Sequence, residues 1–325
     1  MNSAFGVPPR GRAFPLSVLT GAVAAIVLTA CGGGGGGGTT STTTARSVPS
    51  TVSTNNNAST PKAPSATQTD DPKYAAVAGS EPMPSLSEPQ AGSTAAVGNG
   101  YEGIYIRDFG DTVQLAFIGP DNSVLSQRGK SWFWGALDVR GQAWTFKSES
   151  VGTEDGTTLD SLIGSGTFET KSSMSGRYNF EGGVSNVWGP IKYTYENALA
   201  VDQSSVAGSW GVRDADGMSF TVDATGALKG KTTGTNYGVC ELSGALVQRE
   251  PGTKKNLYSL ELKGVNAATG DQPACLIDKA PFKGSAFIGL VPAGKYNSNG
   301  YFRVLVGLVN TEGHARFMVA LDRQR

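Results

Sequence analysis

From about Asn99 onward the chain alternates apolar and polar residues in short runs. Examples are Thr112-Val113-Gln114-Leu115-Ala116-Phe117-Ile118, Ser219-Phe220-Thr221-Val222 and Leu257-Tyr258-Ser259-Leu260-Glu261-Leu262. A period of two sends successive side chains to opposite faces, so these runs predict strands with one face buried and one in water. Turn chemistry separates them at Gly119-Pro120-Asp121-Asn122, Asp216-Gly217, Pro251-Gly252 and Asn299-Gly300. Strands this close together predict an antiparallel meander and exclude the long crossovers of a βαβ fold. Leu159 to Ile163 reads as a short helical turn, and no long amphipathic helix is legible.

The pattern repeats. Gly103-Ile104-Tyr105, a polar bend, a strand and Pro120 to Leu125 match Gly208-Ser209-Trp210, a bend, a strand and Asp223 to Leu228, with an offset of 105 residues at the opening glycines. Two units follow, residues 99–204 and 205–325. Each is long enough for seven or eight short strands, hence for a sandwich or a small closed barrel, and closure removes exposed strand edges. Extra chain around Gly164 to Asn186 predicts an open or irregular first unit.

Upstream of Asn99 the pattern changes twice. Arg10 and Arg12 precede an almost uncharged apolar run from Phe14 to Ala30, which is the layout of a secretory signal over residues 1–30. From Gly32 to about Gly98 the chain is Gly, Ser, Thr, Ala, Pro and Asn with Tyr74 as its one aromatic, too polar to offset its chain entropy by burial. Residues 31–98 therefore read as a disordered tether with a typical span of about 45 Å and a reach of about 220 Å.

Leu28-Thr29-Ala30-Cys31 resembles the bacterial lipobox. The resemblance implies cleavage before Cys31, diacylglycerol and palmitate on that residue, and membrane anchoring without a spanning helix. Gly32 in place of Asp implies passage to the outer membrane of the cell envelope, with the periplasmic or surface face left open. The seven-glycine run Gly32 to Gly38 is similar to that of surface lipoproteins such as transferrin-binding protein B. The Gly-x-Tyr/Trp openings, with Cys240-Glu241-Leu242-Ser243-Gly244 and Tyr258-Ser259-Leu260, resemble small lipocalin-like barrels of envelope lipoproteins and a group of proteobacterial lipoproteins of uncharacterised function. The fold expected is all-β: two tandem antiparallel lipocalin-like barrels after a disordered tether.

Cys240 and Cys275 are the only cysteines beyond Cys31. In an exported chain they are expected to pair; two buried free thiols or a metal pair are the rival readings. The lone His314 lies in a polar turn, no G-x-S-x-G elbow occurs, and Ser59-Thr60-Pro61-Lys62 sits in the tether, where nothing would desolvate its Lys. Acid clusters at Asp108 with Asp111, Glu154-Asp155, and Asp214 with Asp216 read as turn carboxylates, short of a glycosidase pair or an EF-hand. No catalytic, cofactor-binding or metal residue is named. With 27 Lys+Arg against 27 Asp+Glu, the chain lacks the charge of a nucleic-acid binder.

Trp132 and Trp134 share one strand face with Phe133 on the other, and Trp144 pairs similarly with Phe146. Together with Trp188 and Tyr195 they read as core, or else as a stacking surface at a barrel mouth. The function expected is a non-catalytic binding or envelope-structural role, not an enzyme. The alternatives are a carrier of a small apolar ligand and a surface-exposed adhesin or host-protein binder; a hydrolase ranks last.

Overall fold

The computed structural model describes residues 80–81, 84–108, 113–154, 156, 158–211, 217–234, 237–278, 280–292, 301–311 and 316–324. A short strand β1 (Ser80–Glu81) and a single helical turn α1 (Thr94–Val97) precede the first barrel. That barrel comprises β2 (Gly103–Asp108), β3 (Val113–Ile118), β4 (Ser123–Arg128), β5 (Ser131–Arg140), β6 (Ala143–Phe146), β7 (Val151–Thr153), β8 (Asp160–Glu169), β9 (Ser173–Phe180) and β10 (Asn186–Tyr193). A 3₁₀ turn (Tyr195–Ala198) and α2 (Gln203–Val206) lead to the second. It comprises β11 (Gly208–Gly211), β12 (Met218–Val222), β13 (Ala227–Thr232), β14 (Cys240–Gln248), β15 (Tyr258–Asn266), β16 (Phe282–Pro292), β17 (Tyr301–Asn310) and β18 (Arg316–Arg323).

Each barrel is an antiparallel meander closed on itself. The first closes where β10 meets β2, Tyr193 opposite Tyr105, and the second where β18 meets β11, Arg323 opposite Trp210. The expectation of an open or irregular first barrel is corrected by β6 and β7. They pair with different stretches of both β5 and β8 and so fill one strand position end to end, giving eight positions in each barrel. The extra chain from Gly164 to Asn186 is the long β8–β9 hairpin and its exit, with no insertion outside the barrel. The helical turn expected at Leu159 to Ile163 is the start of β8, where Leu162 is buried and Ile163 exposed, the alternation of a strand.

The duplication is legible atom by atom. Gly103 and Gly208 open their barrels at φ 137° and 121°, a region that glycine tolerates and other residues do not. A Cβ on Gly103 would also stand 2.4 Å from Asn197 Oδ1. Tyr105 and Trp210, two residues on, point inward fully buried, and each ring donates to the carbonyl four residues back: Tyr105 Oη to Tyr101 at 2.7 Å, Trp210 Nε1 to Val206 at 2.7 Å. Further along, the alignment moves by one residue. Gly119 N donates to Ser123 O as Asp223 N donates to Ala227 O, so the inward Leu228 corresponds to Val124, and Leu125 faces out. A slip of one residue exchanges the two faces of a strand.

The strands differ in how many faces they bury. β15 alternates strictly from Tyr258 to Gly264, wet on its outer face. In β3, Gln114 to Ile118 are all buried, as are Val304 to Val309 of β17. The half-buried strand expected at residues 112–118 is therefore covered on both sides. Ala116 and Ile118 point into the first barrel, while Leu115 and Phe117 belong to a third core shared by both barrels.

The packed chain also begins earlier than residue 99. Pro84 is buried, and Ser93, Thr94 and Ala95 are at most 2% exposed. Gln90 N donates to Ala198 O at 3.0 Å, and Gln90 Oε1 accepts from Ala200 N at 2.8 Å. Polar residues pack here because their hydrogen bonds are met by the linker between the barrels, an outcome that composition does not reveal. Among the described residues no helix is long and apolar enough to cross a membrane.

Candidate functional site

The residues with the most unusual environments gather where the barrels meet. Ile104, Leu115, Phe117, Leu125 and Trp132, on the outer faces of β2–β5, pack against Leu257, Phe287, Val304, Val306 and Leu308 of the second barrel. Phe117 and Phe287 meet edge to face, with centroids 5.6 Å apart and planes at 65°. Burying apolar side chains here releases water from two surfaces at once, at roughly 1.5–3 kcal/mol per large side chain.

Charged groups ring this apolar patch. Arg249, on the turn after β14, reaches the β3–β4 turn. Its Nη1 donates to Ser123 Oγ at 2.6 Å and lies 3.6 Å from Asp121 Oδ1, while Nη2 donates to Ser285 Oγ at 2.8 Å. Asp121 is held below the usual carboxylate range: hydrogen bonds from Ser123 and the charge of Arg249 outweigh its burial. On the same turn Lys255 Nζ lies 2.5 Å from Glu102 Oε1 and 2.6 Å from Glu250 Oε2. Glu102 is 2% exposed, and burial pushes its carboxyl up despite the hydrogen bond and charge of Lys255. Burial acts the other way on Lys255, but the two carboxylates outweigh it and hold the ammonium above its usual range.

Asn256 completes the joint. Wholly buried, it donates through Nδ2 to the carbonyls of Glu196 (3.0 Å) and Ile288 (2.8 Å), accepts from Ile288 N at Oδ1, and donates its own N–H to Thr94 Oγ1. Asn197, in the linker, both donates to and accepts from the backbone of Ile104. The α1 turn, the linker and both barrels are thereby bonded to one another. Two acids do converge at Lys255, but the ammonium lies against both, so the arrangement binds barrel to barrel and offers no free acid–base pair.

The aromatic expectations divide. Trp132 and Trp134 do share a face, and it is the face turned to the second barrel; Trp132 is buried there and Trp134 sits at its margin. Trp144, Phe146 and Trp188 lie inside the first barrel, where Phe133 and Tyr178 meet Trp188 edge to face and Phe180 stacks on Phe133. Tyr195 packs beside the second core and donates its hydroxyl to Leu290 O at 3.1 Å.

Cys240 and Cys275 form a disulfide, with S–S 2.10 Å and Cα–Cα 5.0 Å. Cys240 starts β14, whereas Cys275 lies in the loop between β15 and β16 and not in a strand. The bond pins that loop so that Cys275 and Ile277 enter the second core. Glu154 is engaged locally: its Oε1 accepts from Asn186 Nδ2 at 2.8 Å and from the Tyr178 hydroxyl at 3.4 Å. Among the described residues no group of three or more His, Cys, Asp or Glu is placed to hold a metal ion. Cys31, Ser59, Lys62, Asp111, Asp155, Asp214, Asp216, His314 and the side chain of Asp108 lie outside the described residues.

The buried acids Glu102 and Glu196 and the half-buried cations Arg249 and Lys255 carry no motif, and spacing alone does not reveal them. The shared apolar face did leave a trace: Phe287-Ile288-Gly289-Leu290-Val291 and Val304-Leu305-Val306-Gly307-Leu308-Val309 are unbroken apolar runs, the pattern of strands covered on both faces. Comparisons with protein-family models, with curated proteins and with solved structures find no match.

Proposed function

We propose that this chain is an outer-envelope lipoprotein with a non-catalytic role, binding a partner or bracing the envelope. Its two barrels act as one rigid body, held through the tether by acyl chains on Cys31. The observation that carries the reading is the shared core between the barrels with its charged and amide clasps, because a double barrel locked this way presents a large surface of fixed shape. Rigid display suits an interaction protein, since little ordering entropy remains to be lost on binding.

A carrier of small apolar ligands needs an open barrel axis. In the first barrel the rings of Phe133, Tyr178, Phe180 and Trp188 pack against one another in the core, and in the second Trp210, Tyr258 and aliphatic side chains share one core, which counts against that reading. A hydrolase needs a carboxyl pair open to substrate, whereas Glu102 is buried against Lys255.

Cell fractionation of wild type and Cys31→Ala tests the anchor. The reading expects release of the variant to the soluble fraction and loss of labelled palmitate; retention with unchanged labelling contradicts it. Protease treatment of intact cells then separates the two placements: digestion assigns the double barrel to the surface and the adhesin class, protection to the periplasmic face.

A further inference from the structure

Glu196 lies in the 3₁₀ turn that carries the chain from the first barrel to the second, and only 5% of it is exposed. The turn is wedged among α1, β2 and β16. Asn256 ties the Glu196 carbonyl to the second barrel, while the neighbouring Asn197 is bonded to Ile104 of the first. Both barrels therefore grip the turn on which this carboxyl sits. Its Oε2 is buried with no hydrogen-bond partner. An ionised carboxylate so placed carries a desolvation cost that no countercharge offsets.

Titratable groups surround the turn without neutralising it. The chain before β2 contributes Glu102, and the β14–β15 turn contributes Glu250, Lys254 and Lys255; Lys255 pairs with both Glu102 and Glu250. On β2 itself Tyr105 donates its hydroxyl to Tyr101 O and Arg107 donates to Gly189 O. Tyr193 ends β10 and the linker brings Tyr195, α1 has no titratable side chain, and β16 presents the uncharged Ile288 and Leu290. Burial is the dominant influence on the Glu196 carboxyl, opposed by hydrogen bonds from Thr194, its own backbone and Tyr195, with no countercharge contributing.

We propose that Glu196 makes the junction a pH-responsive joint, closed while its carboxyl holds a proton and loosened when that proton passes to solvent. Burial pushes this carboxyl up to about 7, which places the change near neutrality. The folded chain then keeps its proton over a range where the unfolded chain, with an ordinary carboxyl near 4.5, has released it. Stability is greatest below that ordinary value, falls as pH rises toward about 7, and is level beyond it. With a tenfold change per unit, the folding equilibrium weakens on the order of a hundredfold across the window.

The test is thermal unfolding of the full-length protein in detergent from about pH 4.5 to 8, comparing wild type with Glu196→Gln, which copies the protonated shape. Wild type is expected to lose melting temperature through the window, with a much smaller loss in the variant and the higher midpoint in the variant near pH 8. Parallel pH profiles overturn the proposal. Hydrogen exchange on wild type alone gives a second reading that needs no variant. Amides of residues 194–199 and 254–257 should open with rising pH beyond the intrinsic rate, ahead of the strands inside each barrel; uniform protection across the window contradicts the joint.

Discussion

The first barrel is held by aromatic rings and the second by aliphatic packing and a covalent staple. Inside the first, Trp188 touches Phe133, Trp144, Phe146 and Tyr178, with centroids 5.1 to 6.2 Å apart. Inside the second, leucine, valine and isoleucine dominate, and the Cys240–Cys275 bond fastens the β15–β16 loop over them. Strand order and closure are nonetheless the same. The meander therefore does not depend on one kind of core. Large rings pack edge to face in one core, while smaller side chains build the other, where a disulfide fastens a long loop.

The strongest way to break this contrast is Trp188→Ala, which deletes the ring at the centre of the aromatic cluster. A loss of about 3–5 kcal/mol is expected. Protection from hydrogen exchange should fall most in residues 103–193 and less in the second barrel, where β17 keeps its inner face. Cys240→Ser with Cys275→Ser sharpens the other side of the contrast. A bond spanning 35 residues is worth roughly 3–4 kcal/mol on the chain-entropy account, and denaturant titration with and without reductant checks it. Lost protection should centre on the β15–β16 loop and the second core, with the first barrel unmoved.

The charged clasp should matter less. Lys255→Met leaves Glu102 buried without its partner, at a cost of about 2 kcal/mol, below the roughly 3–5 of a fully buried pair because Glu250 on the other side is partly in water. The loss should be greater near pH 8 than near pH 5, since a neutral Glu102 tolerates burial, and Glu102→Gln in the same chain should restore most of it. A double variant as weak as Lys255→Met would mean that packing, and not charge, sets the cost.

What sequence reasoning could reach follows from which patterns are local. Alternation at Leu257 to Leu262 and the turn at Gly119 to Asn122 are consequences of neighbouring residues, and the structure places β15 and the β3–β4 turn there. The matching glycines Gly103 and Gly208 disclosed the duplication for the same reason. The junction was hidden because it joins residues far apart in the chain: Glu102 with Lys255, Asp121 with Arg249, Glu196 with Asn256. Trp132 and Trp134 were correctly put on one face, yet alternation says nothing of what that face meets. Gly164 to Asn186 misled because the long β8–β9 hairpin looks, in one dimension, like surplus chain.

The central claim is that the barrels are fastened to each other through a shared core, and a double-mutant cycle across it is the most direct measurement. Phe117 and Phe287 meet only if the barrels pack as described. Denaturant unfolding of Phe117→Ala, Phe287→Ala and the combined variant should give a coupling energy of about 1 kcal/mol. Additive losses, with coupling near zero, would mean that the two rings do not meet and that the barrels move independently.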